Sequence, residues 1–173
     1  RQIDGWYDSW WAIKGEPGTT ASRLLHWGRS QYGSDGRGLD GNGSPGSSGA
    51  WGAGRFNEAS PVEALEQVAG VARPADRLCS VAGGSGRVMM IRAIDTMGVT
   101  TSCAPGAAKT VWFIGPTDQY DSSTGLVVRA SGLPTGSPPA AVFTSKPASA
   151  YGSPYTLLLE DGRIFAFGNN YYD

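Results

Sequence analysis

The chain has 173 residues, enough for one domain with a genuine hydrophobic core. Apolar residues make up 40%, charged residues only 17%, and the net charge is −1, which excludes a disordered polyelectrolyte and the clustered basic footprint of a nucleic-acid binder. No apolar run approaches the roughly 18 residues that a membrane helix needs, so no membrane span is expected.

The 26 glycines and 11 prolines follow no collagen period and instead punctuate short apolar runs, as turns between short strands do. Residues 5–14, Gly-Trp-Tyr-Asp-Ser-Trp-Trp-Ala-Ile-Lys, are aromatic and branched and predict a strand. Gly15-Glu-Pro-Gly-Thr-Thr20 is a turn, and Ser22 to Gly28 a second strand. Residues 29–49 are Gly/Ser-rich and nearly devoid of apolar side chains, which predicts a long surface loop. Ser60, Pro61 and Glu63 match a capping box with proline at the first helical position, and predict a short helix of about eight residues. The competing reading is an outer strand, because Val68-Ala-Gly-Val-Ala72 can also extend.

Residues 77–82 and 87–94 predict strand, Gly-rich turn, strand. Further short strands are expected at 99–103, 110–114, 126–130 and 141–144. Two apolar runs, from Tyr155 and to Phe167, flank Glu160-Asp161-Gly162; Asp-Gly in that setting predicts a hairpin with a type I′ turn. No long amphipathic helix is legible, so the expected class is mainly β: antiparallel sheets built from short hairpins in one β-rich domain over residues 1–173.

Tyr155-Thr-Leu-Leu-Leu-Glu-Asp-Gly-Arg-Ile-Phe-Ala-Phe-Gly-Asn-Asn170 resembles the repeat core of the chromosome-condensation-regulator type β-propellers. Ser22–Gly33, with its Trp27-Gly28 ending, and residues 60–88 resemble the same repeat in part. The resemblance implies a small, degenerate or partial β-propeller that binds through its loops. At about 40–50 residues per blade the chain has room for three to four blades. A β-sandwich or a pilin-like α+β head is the alternative architecture.

Chemistry-bearing constellations are sparse. His26 is the only histidine, which rules out a His-rich zinc site, and no Gly-x-Ser-x-Gly nucleophile elbow occurs. The carboxylates are scattered, with no pair suggesting a glycosidase. Asp35-Gly-Arg-Gly-Leu-Asp40-Gly-Asn-Gly is only loosely like a calcium loop and lacks EF-hand spacing. No catalytic residue, metal or cofactor is therefore expected. Cys79 and Cys103 are the only cysteines; both sit in apolar, strand-like surroundings and are expected to form a disulfide. The Gly/Ser/Thr-rich, lysine-poor composition points to a secreted or cell-surface location.

The aromatics are the better lead, because Trp, Tyr and Arg dominate interfaces and sugar-stacking sites. Trp6, Trp10, Trp11, Tyr32, Trp51, Tyr120, Tyr171 and Tyr172 are the candidate binding residues, with Trp6 and Trp10 on one face of the first strand. The loops 29–49, 115–125 and 131–140 are the expected recognition surface. The expected role is a non-catalytic extracellular module recognising a protein or a surface glycan. A structural or adhesive subunit, the soluble head of a pilus, fibre or surface appendage, is the alternative, with self-assembly through terminal strands; a glycan-active hydrolase is the second. Residues 1–14 are expected to pair with the C-terminal hairpin or with another molecule.

Overall fold

The computed structural model describes residues 2–6, 9–28, 62–63, 77–84, 87–114, 127–144 and 155–167. Among them there is no helix, and the fold is mainly β, as expected. Three antiparallel sheets follow one another along the chain. The first holds β1 (Ile3–Trp6), β2 (Ser9–Lys14), β3 (Arg23–Gly28) and β4 (Val62–Glu63), each strand paired with the next. The second holds β5 (Leu78–Gly84), β6 (Arg87–Arg92), β7 (Thr110–Ile114) and β8 (Val127–Arg129), and the third β9 (Pro139–Thr144), β10 (Tyr155–Leu159) and β11 (Ile164–Phe167). Every sheet is a meander in which sequence neighbours are spatial neighbours, the cheapest connection for short strands joined by tight turns.

The sheets stack face to face, and strand alternation explains why. Val81, Val88, Met90 and Ile114 of the second sheet pack with Trp11, Ile13 and Leu24 of the first. The intervening positions, Ala82, Met89, Ile91 and Val111, pack with Val142, Tyr155, Leu157 and Leu159 of the third. The middle sheet is thus buried on both faces, which is why Val88-Met89-Met90-Ile91 reads as a continuous apolar run rather than an alternating one. Each fully buried side chain of this size contributes roughly 1.5–3 kcal/mol.

The first strand of each sheet lies at a sheet edge, and in the second and third sheets its unpaired backbone groups are met from the sheet before. Gln2 acts as a strand mimic: its Nε2 donates to Val81 O (2.8 Å) and its Oε1 accepts from Val81 N (3.0 Å). Gly83 N donates to Asp4 Oδ2 at 3.0 Å. Leu78 N donates to the buried Ser22 Oγ, and Leu78 O accepts from Gly18 N, both at 2.9 Å. On the third sheet, Val142 N donates to Ser80 Oγ at 3.4 Å.

The cysteine pair is a disulfide, with Cα atoms 5.4 Å apart. Cys79 is the extra residue of a β-bulge, since Leu78 pairs with Arg92 and Ser80 with Ile91. The bond ties the loop after β6 to the start of β5.

Several sequence expectations are corrected. Residues 5–14 are not one strand: β1 and β2 form a hairpin, with Trp6 paired to Ser9, so Trp6 and Trp10 lie on different strands. Val62 and Glu63 pair with His26 and Leu25 as a strand, so the helix expected there gives way to the outer-strand reading at these residues; the remainder of 60–72 lies outside the described residues. Segment 99–103 is a loop with only an isolated bridge, Ile94 to Thr100, because Asp95 Oδ1 accepts from Met97 N and Val99 N and holds a turn. The first two strands pair with each other and with β3, not with the C-terminal hairpin.

The Asp161-Gly162 hairpin exists, but its turn is not type I′. That type needs φ > 0 at both central residues, and Asp161 does not pay that steric cost. Instead Gly162 N donates to Leu159 O and Leu159 N to Arg163 O, while Gly162 alone takes φ 87°. This is a three-residue loop with a left-handed glycine. Asp95–Val99 repeats it bond for bond, with Gly98 at φ 84°.

At Gly83 the first two sheets approach closely: a Cβ there would lie 2.1 Å from Trp11 Cε3. Gly83→Ala is expected to lower unfolding free energy by about 1–3 kcal/mol in denaturant melts, as overpacked cores do. Replacing both cysteines by serine is expected to cost about 3 kcal/mol, read as the same shift that reductant produces in the wild type and none in the double variant.

Candidate functional site

A cleft of about 430 Å³ opens between the loop after β6 and the loop before β9, within the size range of small-ligand and peptide pockets. Its walls are Asp95, Thr96, Gly106, Ala108 and Lys109 on one side and Leu133 to Pro139 on the other, with Leu159 at the base. The second wall is most of the 131–140 loop that the sequence singled out as a recognition surface. The lining is mostly apolar and rich in proline, which presents a stiff surface that loses little entropy on binding.

The walls are held by bonds from three directions. Thr101 N donates to Ala93 O, Thr101 Oγ1 to Ala108 O, and Thr110 Oγ1 to Ile94 O, folding the first wall onto the end of the second sheet. Arg129 Nη1 donates to Thr96 O at 2.8 Å. On the other side, Arg163 Nη2 donates to Thr135 O (3.0 Å), Asp161 N to Ser137 Oγ (3.0 Å) and Glu160 N to Pro138 O (3.0 Å). The β10–β11 turn therefore acts as a bracket for the second wall.

Glu160 joins the two walls. Its Oε1 accepts from Lys109 Nζ and its Oε2 from Gly106 N, both at 2.6 Å. The Lys109 side chain is only 3% exposed and that of Glu160 21%, so the ion pair is sheltered at the cleft edge. The Lys109 hydrogen bond and then the Gly106 amide hold the Glu160 carboxyl below its ordinary value of 4.5. Asp161 is also lowered, by the Arg163 backbone N–H and then its side chain.

Of the expected aromatic residues, the two with described side chains, Trp10 and Trp11, do not line the cleft. Trp10 is partly exposed on the outer face of the first sheet, whereas Trp11 is fully buried and packs beside His26, ring centroids 5.0 Å apart. The side chain of Trp6 and all of Tyr32, Trp51, Tyr120, Tyr171 and Tyr172 lie outside the described residues, as do the loops 29–49 and 115–125 and the 35–43 segment. Among the described residues no group of three or more His, Cys, Asp or Glu could hold a metal, and no helix is long and apolar enough to cross a membrane.

The pairing of Lys109 with Glu160 escaped the sequence reading because they are 51 residues apart and Glu160 was legible only as part of the hairpin turn. Comparison with protein-family models, with curated proteins and with solved structures finds no match for this chain.

The Glu160 clamp makes stability pH-dependent in a defined direction. Its folded pKa is lowered, so the stabilisation is present above about pH 4.5 and is lost as the pH falls through the folded value. Glu160→Gln is expected to lower the melting midpoint at pH 7, with the gap to wild type closing as both are titrated into the acid range; a gap that stays constant down to pH 2 contradicts this.

Proposed function

We propose that the chain is a non-catalytic binding module whose sheet stack holds a loop-walled cleft for an extended segment of a protein partner. The observation that carries this is the state of the cleft's ionisable groups. Asp95 is consumed by its turn, Glu160 by Lys109 and Gly106, and Arg163 by Asp161 and Thr135. What remains to a ligand is shape, apolar surface, the Thr96, Thr135 and Ser137 hydroxyls and backbone polar groups, which suits recognition rather than bond-breaking. Between the two partner classes, the lining favours protein over glycan: among the described residues no aromatic side chain lines the cleft, and sugar sites rely on aromatic platforms. The disulfide agrees with a secreted or cell-surface setting. The three successive meanders support reading the scaffold as part of a β-propeller, in line with the repeat that residues 155–170 resemble.

A phage-displayed random-peptide library panned against the folded chain tests the proposal. Selected peptides are expected to bind the wild type and to lose at least tenfold in affinity on Ala108→Trp, which fills the cleft from an exposed position on one wall. Peptides indifferent to that change, or binding seen only on a glycan array, overturn it.

A further inference from the structure

The three sheets begin with the same arrangement of paired strands, and their register gives the correspondence. Ile3, Val81 and Val142 occupy the same place on the first strands, as do Gly5, Gly83 and Thr144. Each first strand turns these positions toward the preceding sheet: Val81 and Val142 are buried against it, and Gly83 touches Trp11. The second strands agree, since Trp10, Val88 and Tyr155 pair with those shared positions, and Val88 and Tyr155 are buried. In the first sheet the side chains at these positions face outward, Ile3 62% and Trp10 39% exposed, while Gly5, which has no side chain, is buried.

The other end of the stack mirrors this. Ala82 and Ile91 of the second sheet pack against the third. Their counterparts in the third sheet are Phe143 and Leu158, and the strand next to Leu158 places Ile164 on the same face. Phe143 is 51% and Ile164 67% exposed. The first sheet therefore presents a face of the kind that docks on a preceding sheet, and the third a face of the kind that receives a following one. Both carry apolar side chains at places that are core elsewhere in the molecule.

A polar feature points the same way. The edge amides of β5 and β9 are met by Gln2, Asp4 and Ser80 from the sheet before. The matching edge of β1, at Ile3 and Gly5, meets no such side chain among the described residues.

We infer that a second copy of this chain docks head-to-tail, the outer face of its first sheet on the outer face of the third sheet here. The copy supplies the right occupant because one chain carries both halves of the joint, and because that joint occurs twice inside each molecule. The contact is heterologous, so it closes a ring or runs on, depending on the rotation per step. It is independent of the cleft, which lies between loops rather than on a sheet face.

The test is mass by analytical ultracentrifugation across concentration. The wild type is expected to grow beyond a monomer. Ile164→Lys blocks one face and Ile3→Lys the other; each alone is expected to be monomeric with unchanged circular dichroism, and an equimolar mixture to form a one-to-one dimer and nothing larger. Phe143→Glu serves as a second block of the third sheet if Ile164→Lys unfolds. A wild type monomeric throughout overturns the inference, as does dimerisation of Ile3→Lys by itself, which indicates a symmetric joint between third sheets. Persistent assembly of both single variants overturns it as well, placing the contact elsewhere.

Discussion

The first strands of the second and third sheets govern this molecule. A strand at a sheet edge exposes backbone donors and acceptors that must be satisfied if they are to be buried. In β5 the work is done by side chains: the Gln2 amide at Val81, the Asp4 carboxylate at Gly83 and the Ser22 hydroxyl at Leu78. Ser80 does the same for Val142. These bonds fix how far one sheet slides along the next, which in turn decides that Trp11 meets Gly83 and that Ser80 meets β9. Apolar burial drives the sheets together, but it is non-directional and sets no register.

The bulge at Cys79 and the irregularity between Leu158 and Leu159 belong to the same arrangement. In both sheets the first strand carries one extra residue near its start, Cys79 in β5 and Ala140 in β9. The bulge in β5 turns the strand so that the disulfide can reach the loop after β6, and that loop is a wall of the cleft. Scaffold and candidate site are thus coupled through local backbone geometry. The β10–β11 turn plays a parallel role, since the three-residue loop that closes the hairpin also presents Glu160 and Arg163 to the two walls.

Much of the strand content was legible because short apolar runs with Gly, Pro and Asp between them admit few other readings. The β10–β11 hairpin, the strands around Gly83–Gly86 and the cysteine pair followed from local pattern. What was hidden depends on pairing across long separations. Gln2 reads as an ordinary polar residue until Val81, 79 positions away, is beside it. The break between β1 and β2 was masked by the aromatic pairs Trp6-Tyr7 and Trp10-Trp11 on either side of Asp8-Ser9, where periodicity does not separate one long strand from a hairpin. The turn type was misjudged because Asp-Gly serves two turn geometries that differ in loop length and in whether the aspartate must turn left-handed. The cleft was half visible: composition marked the 131–140 wall, but nothing local links Lys109 to Glu160.

The contact between Trp11 and Gly83 has a spectroscopic consequence. The indole is fully buried against main chain, its Nε1 meets no hydrogen-bond partner among the described residues, and an imidazole lies against it. Its emission therefore belongs at the blue end of the tryptophan range, and water entering between the first and second sheets shifts it red. The chain thus carries one of its six tryptophans at the seam on which its register depends, and the emission lost in Trp11→Phe is the signal that reports a partial parting of the stack.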